Sequence, residues 1–445
     1  MRNDGKKGLR MLMRKSLCMI VPVLLAPLSC AMDTGTASLK TVFNLVKHLP
    51  GPVQHVCLSA AARLAANKVE KGDDEWLFNL CESLRSEALI AKFENIVQGS
   101  IAITESKKSC PTIVAHDANR AFYDGYCAEG KQYFATLSDS QKLPISITVE
   151  SFTLPCISED GRDMIGWSDD LDKSLLHINT ITGKIAIPLH YSEYHRHGWL
   201  HYAFLSDGSL MMRDNKRLYI ADVPSFLKLG KRSLCTVFKR GDDEYPFSTT
   251  INGIEVLSSS HVICVGPHEK SFEVMHKRGS LWERKASIKI PNKIRGYVVA
   301  KEGQILCVSE NTEDDRLLFF DLQEDNEQMA VVDVPGVKTV SGHFVAAFSP
   351  DEALLICRTK KRGEIVFVNC VDPAEPFVMS TVNISPNMLI SRIVSNAFGT
   401  CVQDDDGKRY NINLNPALPY LAAYKKKKLE EAHKKTSTLS NNNNA

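Results

Sequence analysis

The sequence is short of strong global signals. Its 54 Lys and Arg nearly cancel 52 Asp and Glu, leaving a net charge of +2. So small an excess gives no overall field toward nucleic acid or acidic membranes. No apolar run reaches the roughly 20 residues that a membrane-spanning helix needs. The catalytic motifs that spacing alone reveals are missing: no GxSxG elbow, no HExxH, no P-loop and no Rossmann glycine pattern occurs. What is present is ordinary globular material, 44% apolar and 24% charged, enough for a sizeable core.

The first thirty residues stand apart. Arg2, Lys6, Lys7, Arg10, Arg14 and Lys15 precede an apolar run, LCMIVPVLLAPL, and then the small residues Ser29, Cys30 and Ala31. A basic start, a short apolar stretch and a small-residue exit are the layout of an export signal. Residues 1–31 are therefore expected to be a signal peptide cleaved after Ala31, giving a periplasmic or secreted protein with no membrane span once the signal is removed. The alternative is an anchor through the N-terminal segment, with Cys30 lipid-modified. Thirteen cysteines, eleven after cleavage, leave at least one thiol free whatever the pairing.

Residues 38–95 place apolar residues at three- and four-residue steps and predict a small helical domain. Pro50, Gly51 and Pro52 separate its first two helices, and Gly72, Asp73 and Asp74 the next two, with an aspartate placed to cap. After residue 98 helical spacing stops, and short β-rich runs alternate with Gly, Asp, Asn and Ser turns.

These runs repeat. RAFYDGYC is followed by KQYFATLSD, DMIGWSDDLD by KSLLHINTITG, SLMMRDN by KRLYIADV, and HVICVGPHE by KSFEVMHKRG. QILCVSENTED is followed by RLLFFDLQED, ALLICRTKKR by GEIVFVNCVD, and FGTCVQDDDG by KRYNINLN. The second phrases start at Lys131, Lys173, Lys216, Lys270, Arg316, Gly363 and Lys408, in steps of 42, 43, 54, 46, 47 and 45 residues. Such a period, with two clear strands per copy, is the spacing of propeller blades. Cys264, Cys307, Cys357 and Cys401 recur at one place in four successive copies, which suits small buried packing groups. SIAIT, Ser100 to Thr104, either pairs with the last copy and locks the ring or forms a first strand of the first blade.

FVAAFSPDEALLICRTKKRGEIVFVN, residues 344–369, resembles a WD40 repeat, with FSPDE as its turn and ALLICRT and GEIVFVN as its next two strands. SDGS, residues 206–209, is similar to the same turn. No copy ends in Trp-Asp, and Gly342-His343 sits too close to FSPD for that family's structural role. The resemblance covers 98–416 and implies blades around a channel with partner binding on the loop faces. LPGPVQHVCL resembles, over ten residues, the start of an F-box-like adaptor helix.

The densest unusual patch is HYSEYHRHGWLH. His190, Tyr191, Tyr194, His195, Arg196, His197 and Trp199 suit a protein contact in an inter-blade loop, and His201 follows at its end. The histidines are a candidate zinc or copper set as well, but fixed ligand spacing is missing, and no metal or other cofactor is assigned. Asp404, Asp405, Asp406 and Gly407 read as a tight turn rather than a calcium loop. Glu313, Asp314 and Asp315 read as solvated turn residues. Residues 417–445 predict a charged helix, with Lys425–Lys428 diluted by Glu430 and Glu431, and a disordered tail.

The expectation is thus mainly β, a seven-bladed β-propeller preceded by a small α-helical domain. Its function is expected to be that of a monomeric, non-catalytic scaffold for protein partners, not nucleic acid. The alternatives are an exported propeller hydrolase with a metal at the channel mouth and an adaptor whose helical domain recruits a second protein.

Overall fold

The computed structural model describes residues 44–442. Excepted are 72, 85–86, 99–100, 106–111, 117–121, 129–130, 137–144, 148–151, 159–161, 169–173, 180–181, 183, 190–200, 215–216, 240–252, 267–268, 280, 301, 303, 311–314, 324–327, 338–343, 397–398 and 407. Residues 1–31, the expected signal, lie outside the described residues. The chain divides into two compact units, one holding residues up to Ala102 and from Asn413 onward, the other Ile103–Ile412.

The first unit is helical. α1 (Gly51–Val69) starts where Pro50 is extended and Pro52 supplies the preset φ of a first turn. Its buried face, Val53, Cys57, Leu58, Ala61, Ala62, Ala65 and Val69, follows the helical step. α2 (Asp74–Leu84) is capped as its sequence predicts, Asp73 Oδ1 accepting from Trp76 N at 3.3 Å. α3 (Glu87–Gln98) buries Leu89, Phe93 and Val97. Lys92 Nζ donates to Gln54 Oε1 at 2.7 Å, tying α3 to α1.

A fourth helix comes from the other end of the chain. α5 (Ala417–Asn442) packs on α1, α2 and α3 and buries Ala417, Leu418 and Leu421. Its basic run is occupied with acids of this same unit. Lys425 Nζ reaches Glu94 Oε2 at 2.7 Å, and Lys428 Nζ reaches Glu82 Oε1 at 2.7 Å. Tyr424 donates to Glu82 at 2.9 Å and stacks on Phe78. Among the described residues no helix is long and apolar enough to cross a membrane.

The second unit is built of four-stranded antiparallel sheets. Six are made of consecutive strands. They begin with β2 (Thr112–His116), β3 (Phe122–Ala128), β4 (Lys131–Thr136) and β5 (Ile145–Ile147). Next come β6 (Phe152–Ile157), β7 (Asp163–Ser168), β8 (Ser174–Asn179) and β9 (Ile185–Leu189). The third sheet is β10 (His201–Phe204), β11 (Leu210–Arg213), β12 (Arg217–Ala221) and β13 (Cys235–Lys239), with a short helix, α4 (Val223–Leu229), between its last two strands. The fourth is β14 (Ile254–Ser258), β15 (His261–Val265), β16 (Ser271–Arg278) and β17 (Leu281–Lys289). The fifth is β18 (Ile294–Ala300), β19 (Ile305–Glu310), β20 (Arg316–Asp321) and β21 (Gln328–Asp333). The sixth is β22 (Ala346–Phe348), β23 (Leu354–Arg358), β24 (Glu364–Asn369) and β25 (Phe377–Asn383).

The remaining sheet is joined from two ends. β26 (Ile390–Asn396), β27 (Gly399–Asp404) and β28 (Arg409–Asn413) supply three strands, and β1 (Ala102–Glu105) adds the fourth beside β28. Neighbouring sheets meet through their first strands, β2 with β6, β6 with β10, β10 with β14, β18 with β22 and β22 with β26. This is a β-propeller.

The expected fold class needs correction on two points. The chain carries six self-contained blades, not seven. The expected seventh copy, FGTCVQDDDG with KRYNINLN, provides only second and third strands of a sheet that needs β1 to reach four. The helical part does not simply precede the β part either, because α5, after the last strand, is built into it. In both cases the repeat signal reports local strands, whereas completion depends on chain ends that are distant in sequence.

The core lies in the seams between sheets. Between the fifth and sixth, Cys307, Leu317 and Phe319 pack on Leu355, Cys357, Val366 and Val368. Between the fourth and fifth, Ile263, Phe272 and Val274 pack on Leu306, Val308 and Leu318. Burying each large side chain contributes about 1.5–3 kcal/mol. Cys264, Cys307, Cys357 and Cys401 sit on the second strands of four successive sheets, buried and not bridged by disulfides. Burial pushes the Cys264 thiol up to about 12 and those of Cys307 and Cys357 well above the ordinary range.

Two outcomes follow. A chain ending at Pro416 loses the partner that covers α1–α3, so limited proteolysis should cut within residues 44–98 while fragments of 103–412 persist. A thiol-reactive probe on the folded protein should modify exposed Cys235 first among the described cysteines. Cys264, Cys307, Cys357 and Cys401 should react only on unfolding, as read by peptide mass mapping.

Candidate binding face

Each connection from the last strand of one sheet to the first of the next leaves the propeller on the same side as the turn between its second and third strands. Five of the seven second strands end there in polar residues: Ser168, Arg213, Glu310, Arg358 and Asp404. Glu310 and Arg358, with residues of the following turns, hold connections down. Glu310 Oε1 accepts from Asn292 N at 3.1 Å and from its Nδ2 at 3.3 Å. Glu269 pairs with Lys293 at 2.8 Å. Asp315 accepts from Gly336 N at 2.8 Å and faces Lys360 at 3.8 Å.

The next seam repeats the arrangement. Arg358 Nη1 donates to Ile390 O, and Asp405 N donates to Leu389 O at 3.0 Å. Gly363, at φ +66°, lies so close that a Cβ would run into the Ser385 carbonyl, and its own carbonyl accepts from Ile384 N at 2.7 Å. Connections 291–293, 335–337 and 384–389 are therefore pinned to the turns of adjoining sheets.

The third sheet carries a deeply buried charged group on this face. Arg213 is 1% exposed, and burial holds its guanidinium below the ordinary arginine range, opposed by Cys264, Tyr297 and Asp214. His201, its register partner, opens β10 and is buried beside it. Asp214 accepts from Arg217 N at 2.7 Å and from Tyr219 Oη at 2.7 Å. Burial, and then the Asp214 carboxylate, push the Tyr219 phenol upward. Burial likewise raises Tyr297, with Glu255 next, against Arg213.

The sequence-predicted site residues His190, Tyr191, Tyr194, His195, Arg196, His197 and Trp199 lie outside the described residues. Their flanks do not. Leu189 ends the outermost strand of the second sheet and His201 begins the first strand of the third. Among the described residues no group of three or more His, Cys, Asp or Glu could hold a metal. Asp404 accepts from Lys408 N at 2.7 Å across the turn that its sequence predicts. Asp315 is not a bare solvated turn residue, since it binds the next connection. The sequence reading missed Arg213, Asp214 and Tyr219. The signal available was the RDN exit of SLMMRDN, which matches the polar exits of the other copies.

No protein-family model matches the chain, and no curated protein matches it by sequence. Solved structures do match, 1203 chains in number, a breadth that points to a fold and selects no single activity. One is the crystal structure of the Cps50 (Swd1) β-propeller domain of Myceliophteria thermophila. It has a TM-score of 0.47 and 11% identity, covering 71% of this chain and 99% of that one.

Replacing Asp214 by Ala leaves the Tyr219 hydroxyl and the Arg217 amide without their acceptor. It should lower stability by about 1–3 kcal/mol. Tyr219→Phe, which removes the donor, should cost less. Denaturant midpoints of the two variants, compared with the unaltered chain, give the order.

Proposed function

We propose that the chain is a non-catalytic protein-interaction scaffold that binds its partner on the connection face around the third sheet. Contact is made by His190, Tyr191, Tyr194, His195, Arg196, His197 and Trp199. The observation that carries this reading is the rim at the start of β10, where Arg213, Asp214 and His201 are buried and Asp214 is bonded on both oxygens. A stiff frame around an aromatic and Arg-rich segment suits recognition, because few side chains then carry most of the binding energy. The WD40 resemblance of residues 344–369 supports the same class of function. The proposal includes export, with residues 1–31 removed as a signal.

A second reading is favoured by the separate helical unit. In it, the helices recruit one protein and the propeller holds another. Losing one of two captured partners on loss of α5, while the other stays, would select this adaptor reading.

The test is affinity capture on the chain from Met32 onward, with metal analysis of the same sample. A saturable partner lost at least about tenfold on Tyr194→Ala with Trp199→Ala, at unchanged thermal unfolding, supports the scaffold. Stoichiometric metal without a partner overturns it in favour of a metal-dependent enzyme. The mass of the mature N-terminus decides export separately.

A further inference from the structure

One titratable cluster stands apart from the connection face. β15 opens with His261, and β16, paired against it, brings His276 directly opposite. Their rings stack with centroids 6.2 Å apart and planes 25° apart. His261 Nδ1 lies 3.0 Å from Ser260 Oγ and 3.5 Å from Ser258 Oγ. His276 Nδ1 is buried and has no hydrogen-bond partner among the described residues. The turn itself is held by Lys277 N, which donates to Ser260 O at 2.8 Å.

The surroundings resist added positive charge. Lys285 of β17 acts on His261. Lys277 follows His276 and reaches Asp207, in the turn of the neighbouring sheet, only at 3.8 Å. Glu283 of β17 stands opposite His276 but lies 3.8 Å from Arg278, and Arg284 is held by Glu273 at 3.4 Å. No carboxylate bonds to either ring among the hydrogen bonds of this cluster. Burial, then Lys285 and then His276, hold the His261 imidazole below its ordinary range.

We propose that the His261–His276 pair is an acid-sensitive latch on the β14–β15 turn, closed while at most one ring is protonated and opened when both are. Two stacked imidazolium rings repel, and Lys277 and Lys285 add to the cost. The sign follows from linkage. A histidine held below its ordinary value favours the closed form above the unfolded value of about 6.5 and gives up that contribution as pH falls through its folded value. Ser258 and Ser260 meet His261 Nδ1 with hydroxyls that donate to it or accept from it, so opening is driven by the charge on the paired rings and not by loss of these bonds.

The experiment is amide hydrogen exchange on the full chain, read as the protection factor of the Lys277 amide. Protection should fall several-fold between about pH 7 and about pH 5, the range over which a histidine gains its charge. The Leu318 amide, in another sheet, should keep its protection. His276→Phe retains a packed ring without a charge and should flatten the response, and His261→Gln should do the same. Unchanged Lys277 protection in the natural chain overturns the latch. An equal fall in both variants, or in Leu318, overturns it as well.

Discussion

The rest of the structure depends on covering both faces of every sheet. Among the described residues, the third, fourth and fifth sheets bury apolar side chains on two sides, so each must have a neighbour on two sides. The seams carry this burden: Phe319 and Leu317 lean on Leu355 and Val366, and Ile263 and Phe272 lean on Leu306 and Val308. An array with such faces cannot stop without leaving one bare. Nor can its last sheet remain three strands wide without offering an open edge. β1, placed beside β28, settles the second difficulty with residues from before the first blade. The same logic acts in the helical unit, where α1, α2 and α3 leave a face that α5 covers with Leu418 and Leu421. Both units thus join early and late segments of the chain. Loop closure over so many residues costs little more than over a few dozen, since its entropy grows only with the logarithm of length.

How far this was legible depends on where strands lie. The seven phrase pairs correspond to the second and third strands of their sheets, such as β19 with β20 and β23 with β24. Those strands are enclosed on both faces, and ILCVSE, RLLFFD, LLICR and EIVFV therefore read as nearly continuous apolar runs. Outer strands lack that property. In β21 the exposed and half-buried residues Gln328, Met329, Ala330 and Val331 precede the one buried Val332, and β25 buries none fully. No period-two or continuous pattern marks them off from a loop. The completing strand β1 is only AITE: its sequence allowed either a partner in the last copy or a first strand of the first blade, and the structure pairs it with β28, a choice that four residues do not make by themselves.

The candidate face is harder to read from sequence than the seams. An aromatic and histidine-rich segment stands out by composition in residues 190–199, which lie outside the described residues. Arg213 and Asp214 do not stand out, because RDN at a strand exit looks like any polar turn. Their importance comes from burial, which removes water from a guanidinium and leaves a carboxylate, a phenol and a thiol as its surroundings. That environment is assembled from three sheets through Arg213, Cys264 and Tyr297. The lysine-rich run of the tail shows the converse. Four successive lysines invite an electrostatic reading, yet Lys425 and Lys428 face Glu94 and Glu82 from helices at the other end of the chain. Charge patterning in one dimension counts cations, while function depends on which of them folding has already neutralised.

The polar strand exits bear on binding as well as on stability. A surface pays for every loop it must order when a partner arrives, about 0.5–1.5 kcal/mol for each immobilised flexible side chain. Here Glu310, Asp315, Arg358 and Gly363 hold the connections 291–293, 335–337 and 384–389 before any partner is present. Bonds of this kind run from one sheet's turn to the connection that enters the next, so each seam fixes the height of its neighbour's entrance. A propeller arranged in this way separates two tasks. Apolar seams and polar exits keep the frame rigid, and the remaining connections are free to differ in sequence without disturbing it. The sequence from His190 to Leu200 departs from its counterparts in composition between β9 and β10, each of which is held by its own sheet, and that is the condition under which an unusual sequence costs the fold little.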